Sequence, residues 1–84
     1  MEQQEYIDKL KPILAPYAKD QEALQRLTRD TSFIRDLKIN SANLVDVVLD
    51  VEEAFDVEID NESMEKMLTV GAAIDIVQAK QDAR

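Results

Sequence analysis

The chain has no cysteine, no histidine and no tryptophan, and only one glycine and two prolines in 84 residues. Without cysteine no disulfide can form, and without cysteine or histidine the usual structural zinc site is excluded as well. The same absences remove the commonest general base and the most reactive side-chain nucleophile, so an enzyme has little to be built from. No apolar run approaches the roughly 20 residues of a spanning helix. The N-terminal MEQQEYIDKL is polar where a signal peptide is apolar, so a cytoplasmic protein without a membrane partner is expected. Basic residues are missing from one long stretch: residues 41–65 hold nine acids and neither Lys nor Arg.

What is present points to helices. The chain is 45% apolar, its helix breakers are few, and no β-branched residues alternate with polar ones. One small all-α domain over residues 1–84 is expected, stabilised by packing alone. Residues 1–38 balance seven acids against seven bases, so the net charge of −8 resides in the segment after Ser41. That sign argues against nucleic acid, which requires concentrated Lys and Arg, and favours a basic partner. A solvated, solubilising face is the plainer alternative, and a monomer is the default for so acidic a chain.

Apolar spacing outlines four helices. The first starts near Gln3 and carries Tyr6, Leu10, Ile13, Leu14 and Tyr17 on one stripe, with Pro12 inside it and Pro16 at its end. A long connection over 18–40 follows, anchored by Leu24, Leu27, Phe33, Ile34 and Leu37, with short helical turns near 21–27. The second helix sets Leu44, Val47, Val48, Val51 and Phe55 against the core and lines Asn43, Asp46, Asp50 and Glu53 along another face. Val45 and Leu49 fit neither set and read as an apolar patch edged with carboxylates, the composition of a docking face. A short third helix is capped by Asp60 or Asn61 and buries Met64, Met67 and Leu68. The last is capped by Thr69, carries Val70, Ala73, Ile74 and Val77 inward, and frays over QAKQDAR.

Ser41 stands where the connection becomes the second helix, directly after Asn40, a preferred N-cap residue. With Asn40 as cap, the Ser41 hydroxyl lies in the first turn near free N–H groups and the positive end of the helix dipole, where an attached phosphate is favoured. The alternative is that Ser41 is itself a cap and nothing more. Serine catalysis is excluded by the missing histidine and the missing Gly-x-Ser-x-Gly elbow. An EF-hand is excluded because Gly71, the only glycine, lies outside the acidic segment. A Walker loop fails for lack of glycines.

TSFIRDLKINSANLVDVVLDVEEAFDVEI, followed by MLTVGAAIDIV, resembles the acyl carrier proteins. Corresponding segments of that family read Ser-Phe, a two-residue step, Asp-Leu, Asp-Ser-Leu, an acidic helix ending in Glu-Glu-x-Phe-Asp, then Ile-Glu-Ile and Thr-Val. Fourteen residues separate Ser41 from Phe55, as in the family pattern. The resemblance implies a four-helix bundle with a long first loop and a short third helix, and a carrier rather than an enzyme. It implies that a phosphopantetheinyl transferase attaches 4′-phosphopantetheine from coenzyme A to Ser41, whose thiol then carries an acyl group as a thioester. Acyl-loading and acyl-processing enzymes with basic patches would meet Asn43, Val45, Asp46, Leu49, Asp50, Glu52, Glu53 and Asp56, in fatty-acid, polyketide or specialised secondary biosynthesis. Val47, Val51, Phe55 and Ile74 would line any space for the acyl chain, or serve as ordinary core. The chain departs from the pattern at Lys38 and Ile39, where Gly-Ala is usual, and at Asn40 and Ala42, where Asp and Leu are usual. These departures point to a specialised carrier, or to a carrier-like module that is never modified and only docks a basic partner.

Overall fold

A computed structural model describes residues 3–82. Among them are five α-helices: α1 (Gln3–Leu14), α2 (Gln21–Gln25), α3 (Leu44–Phe55), α4 (Asn61–Lys66) and α5 (Val70–Asp82). Four are the expected elements, and α2 is the single turn anticipated within the long connection. Among the described residues no helix is long and apolar enough to cross a membrane.

The heptad-like spacing of α1 buries Tyr6, Ile7, Leu10 and Leu14 against α3 and α5. The helix runs through Pro12 and closes at Leu14, whose carbonyl accepts the N–H groups of Tyr17 and Ala18. Tyr17 therefore lies beyond the helix, half-buried, rather than on its regular stripe. Tyr6 meets Phe55 of α3 with ring centroids 5.7 Å apart, an arrangement that adds to the area both rings bury.

The connection between α1 and α3 is pinned at several points. Leu37 O accepts the N–H groups of Lys19 and Asp20 at 3.0 and 3.2 Å, which folds the two ends of the connection together. The Asp20 carboxylate caps α2 by accepting the Ala23 N–H. Leu24, Leu27, Phe33 and Leu37 are buried as expected, and Ile39 joins them. Ile34, expected as an anchor, is instead 42% exposed. It sits in a turn over 33–36 whose neighbours Phe33 and Leu37 take the inward positions, leaving it on the outer side.

Three backbone bonds and a bridge then join this connection to the start of α5. Phe33 N–H donates to Leu68 O, Val70 N–H to Thr31 O and Gly71 N–H to Arg29 O, while Ser32 and Thr69 form an isolated antiparallel bridge. A side chain at Gly71 would place its Cβ 2.9 Å from Arg29 O, so the absence of one permits this approach. The same bonds explain Leu68, expected in the core but 55% exposed: its backbone is committed to Phe33 and its side chain points outward. Met67 is buried and Met64 half-buried.

Helix termini follow local chemistry. Asp60 caps α4 through the Ser63 N–H, and the Ser63 hydroxyl and amide hold its carboxyl below the usual range. Thr69 caps α5 by accepting the Ala72 N–H at 3.1 Å. α5 continues to Asp82 instead of fraying after Val77. Tyr6 Oη donates to Gln81 Oε1 at 2.7 Å, and Lys80 Nζ lies 3.8 Å from Asp60 Oδ2. The rest of the tail, residues 83–84, lies outside the described residues.

Candidate functional site

Ser41 opens a 3₁₀ turn, Ser41–Asn43, that leads directly into α3. Asn40, extended at φ −61° and ψ 133°, caps that turn: its side-chain oxygen accepts the Ala42 N–H at 2.9 Å and its carbonyl accepts the Asn43 N–H at 2.8 Å. The Leu44 N–H donates to Ser41 O. Asn40 is therefore the cap, and Ser41 is released from that duty. Its side chain is exposed, and among the described residues no hydrogen bond holds its hydroxyl.

One expectation needs correction. The amides of residues 42, 43 and 44 are all engaged locally, so they do not stand free for an anion on Ser41. The dipole remains, but the direct N–H donors are spent. Ala42 is exposed and contributes no buried contact beside the serine. Three residues upstream, Lys38 holds φ 57°, a left-handed conformation that L-residues other than Asn and Asp seldom adopt.

The α3 face divides by environment. Val45 and Leu49 are exposed at 49% and 56%, one turn apart, with Asp46 and Glu53 beside them on the outward side. Asp56 lies at the helix end in a left-handed conformation, where the Val57 N–H reaches Glu52 O to close the helix. Asn43 is half-buried at the helix head and makes no side-chain cap. Two of the carboxylates are partly committed elsewhere. Asp50 accepts the Tyr17 hydroxyl at 2.8 Å, and Glu52 accepts the Ile59 N–H at 2.8 Å. The Asp50 carboxylate, through this bond, burial and the further charge of Asp46, pushes the Tyr17 hydroxyl above its ordinary pKa.

Tyr17 was not legible as part of this face. It belongs to a segment distant in sequence, and only the turn after α1 brings it to Asp50. The conformation of Lys38 had a signal: it occupies a position where the resembled pattern has glycine. Val47, Val51, Phe55 and Ile74 are packed core, each 5% exposed or less. Among the described residues no three carboxylates converge as a metal site.

The unengaged, exposed hydroxyl on a capped turn is sterically and chemically fit to carry a bulky phosphate ester. No buried partner would have to be given up and no core residue would move. Comparison with known proteins gives the family. The model of a family described as "Phosphopantetheine attachment site" matches residues 8–77. An acyl carrier protein of Rubrobacter xylanophilus is 36% identical over 83 residues, which cover 99% of this chain and all of that protein. The chain belongs to the acyl carrier protein family, and is thus a carrier bearing a 4′-phosphopantetheine prosthetic group, working with a phosphopantetheinyl transferase and acyl-processing enzymes, and not itself an enzyme.

Proposed function

We propose that Ser41 is the attachment residue and that the α3 face is where partner enzymes dock. The observation that carries this reading is the Ser41 hydroxyl, exposed and unbonded on a turn that Asn40 caps in its stead. The bound group supplies a terminal thiol on which an acyl chain is held as a thioester, which is the sulfur this cysteine-free chain lacks. The chain's own residues set where that arm begins. Asn40 fixes the turn, α3 fixes its direction, and the buried Val47, Val51 and Phe55 fix α3 on the core.

Asp46 and Glu53, with Val45 and Leu49 beside them, form the part of the docking face most open to a partner, and exposed Asp56 borders it at the helix end. Asn43 borders it next to Ser41. Asp50 and Glu52 contribute charge while already bonded to Tyr17 and Ile59. Basic patches on partners would meet this face in salt-sensitive encounters that favour on-rate over tight binding, which suits a shuttle that must leave each enzyme. The protein acts as a cytoplasmic monomer in this reading. Neutral Asn40 and small Ala42 beside the serine support a specialised biosynthetic pathway over ordinary fatty-acid synthesis.

The test is an intact-mass measurement after incubation with coenzyme A, Mg²⁺ and a broad-specificity transferase. One added 4′-phosphopantetheine in the wild type and none in Ser41→Ala is the expected result. Equal masses for the two across several transferases would overturn the attachment and leave an unmodified docking module. Reversing Asp46 and Glu53 to Lys should spare loading by a transferase that does not use this face and weaken processing-enzyme binding.

A further inference from the structure

An anion on Ser41 has to find its counter-charge. The amides of residues 42–44 are committed within the turn, so the backbone offers little of it. Most described cations are already occupied. Arg26 pairs with Glu22, Arg29 with Asp75, Lys66 with Glu62 and Lys80 with Asp60, while Lys9 lies over the Phe55 ring. Lys38, like Lys11, Lys19 and Arg35, makes no ion pair among the described residues; it is exposed and is the cation nearest Ser41 in sequence. Even a fully extended chain keeps residues 38 and 41 within about 11 Å. A lysine side chain and a phosphate ester can span that distance between them.

The neighbouring charges favour the same assignment. Residue 40 is the neutral Asn40, already spent on the cap, so no carboxylate stands between Lys38 and the serine. Asp36, the nearest acid upstream, accepts the Ser32 N–H at 2.7 Å. Lys38 also keeps a left-handed backbone at φ 57° that glycine would hold at lower cost. Strain retained at a site of modification is a pointer to a role for the side chain that bears it.

We infer that Lys38 is the residue that neutralises the phosphodiester on Ser41, an inference that rests on Ser41 being the attachment point. Lys38 is a positioning residue here: it fixes the charge environment of the anchored phosphate and takes no part in acyl transfer.

A thermodynamic cycle over loading and substitution tests it. Apo and loaded forms of the wild type, Lys38→Met and Lys38→Arg are melted at low ionic strength, with complete loading verified by mass. Met keeps a Cβ and a long stem in the same backbone conformation, so strain cancels across the cycle. An exposed charge pair of ordinary strength shifts the melting temperature of a domain this size by about 2–4 °C. Loading should therefore change Tm more favourably in the wild type than in Lys38→Met by that amount. Lys38→Arg should keep the difference, and about 0.5 M NaCl should remove most of it. Equal loading shifts in wild type and Lys38→Met, or a difference that survives high salt, would overturn the role of Lys38. Failure of the wild type to load would instead overturn the attachment reading, so the two failures are separable.

Discussion

Replacing Lys38 by glycine should stabilise the apo protein. At φ 57° the Lys38 Cβ crowds the adjoining carbonyl, a conformation that costs an L-residue about 1–2 kcal/mol. Glycine is spared that penalty but loses about 0.5–1 kcal/mol more backbone entropy on folding. Lys38 is exposed and forms no ion pair among the described residues, so little else is lost with its side chain. The difference is a gain of about 0.5–1 kcal/mol. With a urea m-value of about 1 kcal/mol/M for so small a domain, the midpoint should rise by about 0.5–1 M at unchanged m. Urea unfolding followed by far-ultraviolet circular dichroism measures this directly. Lys38→Ala is the control: it removes the same charge and stem but keeps the Cβ, so its midpoint should stay near that of the wild type. A Lys38→Gly midpoint at or below the wild type, or an equal gain in Lys38→Ala, would refute the backbone argument.

Gly71→Ala should act in the opposite direction. The added Cβ meets Arg29 O at 2.9 Å, a backbone atom that cannot swing aside, so overpacking of about 1–3 kcal/mol outweighs alanine's helix preference of about 1 kcal/mol. Urea unfolding should show a net loss. Tyr17 should ionise above the ordinary tyrosine value near 10, because its hydroxyl donates to Asp50 and the phenolate would face that carboxylate. As its folded pKa is raised, the stability tied to this bond is fully present below the unfolded value and is lost as pH climbs through the folded one. Ultraviolet titration of the phenol should therefore show a lower pKa in Asp50→Asn, and an unchanged value would exclude the bond in solution.

Where one helix face carries the signal, the structure and the sequence agree. The period of Leu44, Val47, Val48, Val51 and Phe55 locates α3, and the capping chemistry of Asn40, Asp60 and Thr69 locates three helix starts. The position of Ser41 at the start of the turn that leads into α3 follows from the Asn40 cap before it. What escaped the sequence depends on partners far along the chain. Ile34 and Leu68 are apolar, and composition alone assigns them inward, but Ile34 falls on the outer side of the turn over 33–36 and the Leu68 backbone is committed to Phe33. α5 outlasts its apolar stripe because Gln81 and Lys80 find Tyr6 and Asp60, residues whose proximity no local pattern shows. The engagement of Asp50 by Tyr17 belongs to the same class.

The bonds that join Arg29, Thr31 and Phe33 to Gly71, Val70 and Leu68 bear on how the molecule forms as well as how it stands. They are non-local pairings, made only when residues 68–71 have returned to residues 29–33. On a ribosome these bonds wait until residues 68–71 have emerged, whereas those from Lys19 and Asp20 to Leu37 need only the connection itself. The turn that presents Ser41 needs none of them, being held by bonds among residues 40–44 alone.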